Sequence, residues 1–245
     1  MIETLEDMGG QVLEPGRKFN FQCRPDLACF GSCCRDKRLP LMPYDALRLR
    51  RALGLSSSEF LAGHTELEAD PRSGWPVLRI KLTAQGLCPY VDDGACRVYA
   101  HRPTCCRIYP VVRALSAPGG PVKEVFLRQE TKGCLGWDQP RPLTPEQWLQ
   151  DQHLEEYLKY NDRLAGLIMH PQRKGKVQLD QRQTHAFIAA LYNLDMFGQM
   201  VRQPGFGERF GLPPSRVEAA LAQEEELMLL GLDWLIGQLF GNQPA

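Results

Sequence analysis

The sequence predicts an α+β protein: a small, irregular, cysteine-rich metal-binding lobe with a short hairpin over residues 15–138, packed on a helical region over residues 139–245. Three observations predict it. All nine cysteines precede residue 135, and the last 111 positions hold none. The cysteine-bearing part is cut into short segments by proline and glycine, as expected where metal bonds replace part of a hydrophobic core. The remainder places apolar residues at helical spacing between stretches rich in Pro, Gly, Gln and charge.

The elements follow in chain order. The start, Met1-Ile-Glu-Thr-Leu-Glu-Asp-Met-Gly-Gly10, lacks the basic region and apolar run of a secretory signal, so a cytoplasmic location is expected. Met42 to Gly54 reads as a helix closed by glycine, and Ser56 caps another. Trp75 to Leu82 alternates with period two, as a strand does. Cys88-Pro-Tyr-Val turns at Asp92-Asp-Gly94 into Cys96-Arg-Val-Tyr, a hairpin with a cysteine on each arm. Pro118-Gly-Gly-Pro121 reads as a turn. Thr144-Pro-Glu-Gln147 is a capping box with proline at the first helical position. His185 to Val201 and Ser215 to Phe240 read as amphipathic helices, with residues 171–182 and 203–214 as connections. In the last helix Val217, Leu221, Leu227, Leu230, Trp234 and Leu235 share one side. They are expected to pack as core, with Tyr192, Leu194, Met196, Phe197 and Met200 on the facing surface, rather than to form a partner groove.

Charge excludes little globally, since 29 basic residues balance 29 acidic ones. Locally, residues 17–51 carry nine Lys/Arg against three Asp, and residues 217–245 carry five acids and no base. Both read as solvated faces. The most apolar late stretch, Leu227 to Phe240, is too short for the roughly 20 residues that span a bilayer, so no membrane partner is expected. A reducing compartment and a chain long enough to bury a core make disulfides unnecessary. The cysteines then read as ligands or redox groups.

Their spacing is Cys23-x5-Cys29-x3-Cys33-Cys34, then Cys88-Pro89, then Cys96-x-Val98-Tyr99-x-x-Arg102-Pro103-x-Cys105-Cys106-Arg107-Ile108-Tyr109-Pro110, then Gly133-Cys134-x-Gly136. Thiolate is the soft ligand that zinc and iron–sulfur clusters select, and about four surround one centre. The supply is twice that, so the chain holds two four-thiolate sites or one site with spare thiols. Adjacent ligands fit one tetrahedral ion poorly, so Cys33 and Cys34 are expected to point to different places. Phe19, Phe21, Phe30, Tyr90, Tyr99 and Tyr109 would form an apolar shell. Arg24, Arg35, Arg97, Arg102 and Arg107 would offset thiolate charge. The number of cysteines, the proline after Cys88 and the aromatic packing favour iron–sulfur over zinc.

These motifs resemble the YkgJ family of zinc- or iron-chelating, or iron–sulfur, cysteine-cluster proteins. The resemblance covers residues 19 to about 136, including Leu41-Met-Pro-Tyr-Asp45. Tyr192-Asn-Leu-Asp195 and Asp233-Trp-Leu235 resemble the tails of longer members. Two departures stand out: many members have Cys-x2-Cys-x2-Cys-Cys at the start, and Cys105 is extra. Carried over by position, the resemblance implies Cys23, Cys29, Cys33, Cys34, Cys88, Cys96, Cys106 and Cys134 as metal ligands. Relatives that act as flagellin lysine N-methylases imply a protein substrate and S-adenosylmethionine as cofactor, on resemblance alone. Neither a glycine-rich cofactor loop nor a histidine partner for a nucleophilic cysteine can be picked out, and no catalytic residue is named.

Three functions are consistent with these features. A cluster-binding protein could modify another protein, such as by lysine N-methylation. A zinc-stabilised module could bind a protein without catalysis. Nucleic-acid binding through the Arg17–Arg51 stretch is disfavoured, because aromatic interleaving there is slight.

Overall fold

The computed structural model describes residues 11–71, 73–116, 123–129, 132–170, 172 and 178–241. The expectations for Met1–Gly10 and Pro118–Pro121 lie outside them. Helices and small antiparallel sheets are mixed, in keeping with α+β. The chain divides into two compact units, Met1–Leu39 with Leu82–Lys159, and Pro40–Lys81 with Tyr160–Ala245.

The first unit holds all nine cysteines. Its largest sheet pairs Lys123–Arg128 with Gln11–Leu13 on one side and Val111–Ser116 on the other, in register Val12↔Leu127 and Val112↔Leu127. Phe126 and Leu127 point to opposite faces and are both 2% exposed, so both faces are covered there. A short pairing of Phe19–Asn20 with Pro142–Leu143 leads into the Pro145–Asp151 helix, capped at Thr144 as its sequence requires. Between these elements lies an aromatic cluster. The Phe21 ring stands 5.2 Å from Trp137 and 5.4 Å from Trp148, and Trp148 Nε1 donates to Ile108 O at 2.8 Å. Such edge-on pairs contribute packing specificity beyond the area they bury.

The hairpin forms from Val91–Asp92 and Ala95–Cys96. Asp93 (φ 44°) and Gly94 (φ 76°) are its two turn residues, the left-handed pair that a tight hairpin needs. Cys96 sits on one arm as expected, while Cys88 stands just before the other.

In the second unit the Pro43–Leu53 helix buries Tyr44, Ala46, Leu47 and Leu49 and ends at Gly54 (φ 68°). Ser56 and Glu59 form a reciprocal capping box for Ser57–His64. The Trp75–Leu82 strand is present as Pro76–Ile80, central between Pro40–Leu41 and Thr65–Ala69.

Two expected helices are each broken in two. His185–Val201 becomes Gln181–Leu191 and Leu194–Val201. Asn193 accepts from Met196 N at 3.2 Å and starts the second piece, while Tyr192 Oη donates to Leu41 O at 2.9 Å. Ser215–Phe240 becomes Pro214–Ala222 and Glu224–Phe240, with Gln223 extended between them. Glu224, Glu225 and Glu226 then occupy the positive end of the last helix. Leu227, Leu230, Leu235, Leu194 and Phe197 are buried and Trp234 lies 5.6 Å from Phe197, so this face is core as expected, except that Met196 is 55% exposed and Met200, Val217 and Leu221 are half-buried.

Within this unit the basic and acidic segments meet. Arg50 pairs with Glu224, Arg51 pairs with Glu224 and with both oxygens of Glu225, and Arg216 pairs with Glu226 and Asp233. Arg51 and its hydrogen bonds hold the Glu225 carboxyl below its usual range. The expected solvated faces are thus partly an ion-pair network. Among the described residues no helix is long and apolar enough to cross a membrane.

Candidate metal centre

None of the nine cysteines is in a disulfide. Three devices place Cys29, Cys33 and Cys34. Ser32 N donates to Cys29 O and Cys34 N donates to Gly31 O, both at 3.0 Å, which coils the Ser32–Cys34 turn. Gly31 (φ 79°) permits that coil, and a Cβ there would stand 3.4 Å from Gly94 O at the hairpin tip. Cys34 is tied to the later segment directly, since Cys88 N donates to its carbonyl at 2.9 Å and Arg35 bridges Leu87.

Cys134 comes to Cys23 by a parallel route. Gln22 N donates to Gly136 O at 3.0 Å, and Gly136 lies so close to the Phe21 ring that a Cβ would collide with it. Leu135 N donates to Cys29 Sγ at 3.3 Å. This donor is not legible in the residue pattern, because a backbone N–H carries no residue signature.

The hairpin repeats one device twice. The backbone N–H of Tyr90 faces the Cys88 sulfur, and the backbone N–H of Val98 faces the Cys96 sulfur, in each case two residues on. Hydrogen bonds of this kind favour the thiolate, which is the form a metal binds. Cys106 lies in the short Thr104–Ile108 helix beside Cys105.

Electrostatics show which thiols are neighbours. Burial pushes the Cys23 thiol up to about 11, and the charges of Cys33, Cys29 and Cys134 add to the rise. The Cys23 residue as a whole is exposed, so the proximity of those three sulfurs carries more meaning than the burial. Burial likewise pushes Cys88 up to about 11, with Cys106 and Cys96 adding to it. Cys96 is raised by burial first, then by Cys106. Cys33 and Cys34 do not diverge fully: their thiols hydrogen-bond, with Cys34 donating, which lowers Cys33 to about 6 and raises Cys34. A thiol proton shared between adjacent side chains satisfies both at little conformational cost. Their remaining neighbours differ, because Cys33 acts on Cys23 while Cys88 and Cys106 act on Cys34.

The surrounding residues fit the expected roles unevenly. Phe21 and Tyr90 are 1% exposed and Phe19 is buried, but Tyr99 is 59% exposed and the cysteines are half-buried or exposed. Phe30 and Tyr109 are half-buried, so only three of the six expected shell residues are buried. Arg97 and Arg102 act on the thiols, Arg97 on Cys88 and Cys96, Arg102 on Cys96 and Cys23. Arg102 stacks on Tyr99 at 3.9 Å. Arg107 is instead a structural clamp: buried over the Tyr157 ring, it donates to the carbonyls of Arg102, Ala100 and Gln152. Arg24 pairs with Asp26, and Arg35 donates to Gln85 O.

The donor set suits a soft metal centre in its chemistry and in its neighbourhoods. Among the described residues, however, no three His, Cys, Asp or Glu side chains close on one point as a coordination shell does. One rotatable bond separates each cysteine sulfur from the backbone, so the direction of each sulfur is set by its rotamer.

Residues 22–135, just under half the chain, match the CxxCxxCC family model, described as a "putative zinc- or iron-chelating domain". The matched span begins one residue before Cys23 and ends one residue after Cys134, so it contains all nine cysteines. Comparison with curated proteins and with solved structures returned no match.

Proposed function

We propose that Cys23, Cys29, Cys33, Cys34, Cys88, Cys96, Cys106 and Cys134 bind thiolate-ligated metal, as an iron–sulfur cluster ahead of zinc. The observation that carries this is the concentration of cysteines outside disulfides, from two sequence segments, in one compact unit, with backbone N–H groups aimed at three of the sulfurs. The zinc- or iron-chelating description of the matching family supports it. When bound, such a centre supplies a folding constraint and, as a cluster, one-electron chemistry. The chain's own part is to hold the sulfurs, donate backbone hydrogen bonds to them, and offset their charge with Arg97 and Arg102.

A role in modifying a protein lysine, with S-adenosylmethionine as methyl donor, is supported by the family resemblance alone. The second reading is a zinc-stabilised protein-binding module in which the metal only folds the first unit. The open surroundings of Cys23 and Cys33 favour neither over the other. Nucleic acid is disfavoured as a partner, since Arg50 and Arg51 of the basic stretch are engaged by Glu224 and Glu225.

Anaerobic purification of the full chain, followed by metal and acid-labile sulfide analysis, tests the proposal. Iron with sulfide supports the cluster reading. Zinc without sulfide supports the module, and protein that neither carries metal nor takes it up on reconstitution refutes both.

A further inference from the structure

Resting on the reading that the cysteines hold metal, we propose that they form two separate four-thiolate centres, Cys23, Cys29, Cys33 and Cys134 in one and Cys34, Cys88, Cys96 and Cys106 in the other, divided at the adjacent Cys33–Cys34 pair.

The division follows the backbone connections. The Cys134 segment is fastened to the Cys23–Cys29 segment twice, by Gln22 N to Gly136 O at 3.0 Å and by Leu135 N to Cys29 Sγ at 3.3 Å. The Cys88 segment is fastened to Cys34 by Cys88 N to Cys34 O at 2.9 Å. The hairpin register Val91↔Cys96, with Val91 N donating to Cys88 O at 3.2 Å, brings Cys96 beside Cys88. The turns place the remaining two: Ser32 N donates to Cys29 O at 3.0 Å and coils Cys33 back beside Cys29, while His101 N to Val98 O at 2.8 Å and Cys106 N to Pro103 O at 2.9 Å fold the Cys106 segment back on the Cys96 arm.

Charge argues for the same division. Eight thiolates on one divalent ion would leave a net charge of about −6, while four leave about −2 at each centre, which a single guanidinium can partly offset. Adjacent cysteines strain a single tetrahedral shell, but as ligands of neighbouring centres each needs only its own rotamer. Cys105 belongs to neither set.

The test uses the reduced full chain under anaerobic conditions, titrated with cadmium(II), whose thiolate charge-transfer band reports occupancy. The unaltered chain and Cys105→Ser should both saturate at two equivalents. A double variant within one set, C23S/C134S, should saturate at one, and a double variant across sets, C23S/C88S, should lose tight binding at both. Saturation of the unaltered chain at one equivalent, or the same loss in both double variants, overturns the division while leaving metal binding intact. No binding in the unaltered chain overturns the underlying reading as well. Should a double variant fail to fold, cadmium NMR of the unaltered chain decides, with two tetrathiolate resonances expected and one overturning the division.

Discussion

Gly231→Ala should destabilise the second unit, although alanine is the better helix former. Gly231 is buried in the Glu224–Phe240 helix where it crosses Gln181–Leu191. A Cβ there would lie far inside the contact distance of Ala190 O, 2.9 Å from the Ala190 carbonyl carbon and 3.2 Å from its Cα. These are backbone atoms and cannot rotate aside, so the helices must part by about an ångström to reach ordinary van der Waals separation. Overpacking of this kind costs about 1–3 kcal/mol. The gain from replacing a mid-helix glycine is about 0.5–1 kcal/mol. The net expectation is a loss of about 1–2 kcal/mol, or a fall of about 2–8 °C in melting temperature for a chain of this size. Urea and thermal unfolding followed by circular dichroism measure it. A variant more stable than the parent by the propensity gain would refute the helix crossing described here.

Other outcomes follow from the ion pairs and the thiols. Arg51 depresses the Glu225 carboxyl, so the pair stabilises fully above the ordinary glutamate value near 4.5 and its contribution fades as pH falls through and below that value. Glu225→Gln should therefore cost about 0.5–1 kcal/mol at pH 7 and progressively less in acid, read from urea midpoints; a cost independent of pH contradicts the pairing. Metal binding requires thiolates, and Cys23 and Cys88, with values of about 11, hold protons through neutral pH. Cys34 and Cys96 are raised as well, so affinity should rise about tenfold per pH unit for each such thiol between pH 7 and 9, whereas Cys33, lowered by the Cys34 thiol, should add least to the slope. Zinc titrations across that range check it, and a flat profile contradicts the protonation states assigned.

Where local chemistry decides an element, the sequence showed it. The Gly54 stop, the Ser56 and Thr144 caps and the Asp93-Gly94 turn each depend on a side chain or backbone angle carried by the residue itself. Elements that depend on distant partners were hidden. The pairing of Gln11–Leu13 with Lys123–Arg128 spans over a hundred residues, and consecutive burial of Phe126 and Leu127 masks the alternation of a strand. The breaks at Tyr192–Asn193 and Gln223 interrupt apolar patterns that run on without them, and the Tyr192 to Leu41 hydrogen bond is non-local. Composition placed residues 40–81 with the cysteine segments, while packing groups them with residues 160–245. At the candidate site, residue type and spacing pointed to soft-metal chemistry. Which thiols are neighbours was not legible, because it rests on backbone donors such as Leu135 N and on the fastening of Gly136 to Gln22.

X-ray absorption at the metal edge of the full chain, purified anaerobically with its native metal, tests the central claim most directly. The account predicts a first shell made of sulfur alone, which Cys105→Ser leaves unchanged. Nitrogen or oxygen scatterers from the protein in that shell would contradict the all-cysteine assignment, whatever the metal proves to be.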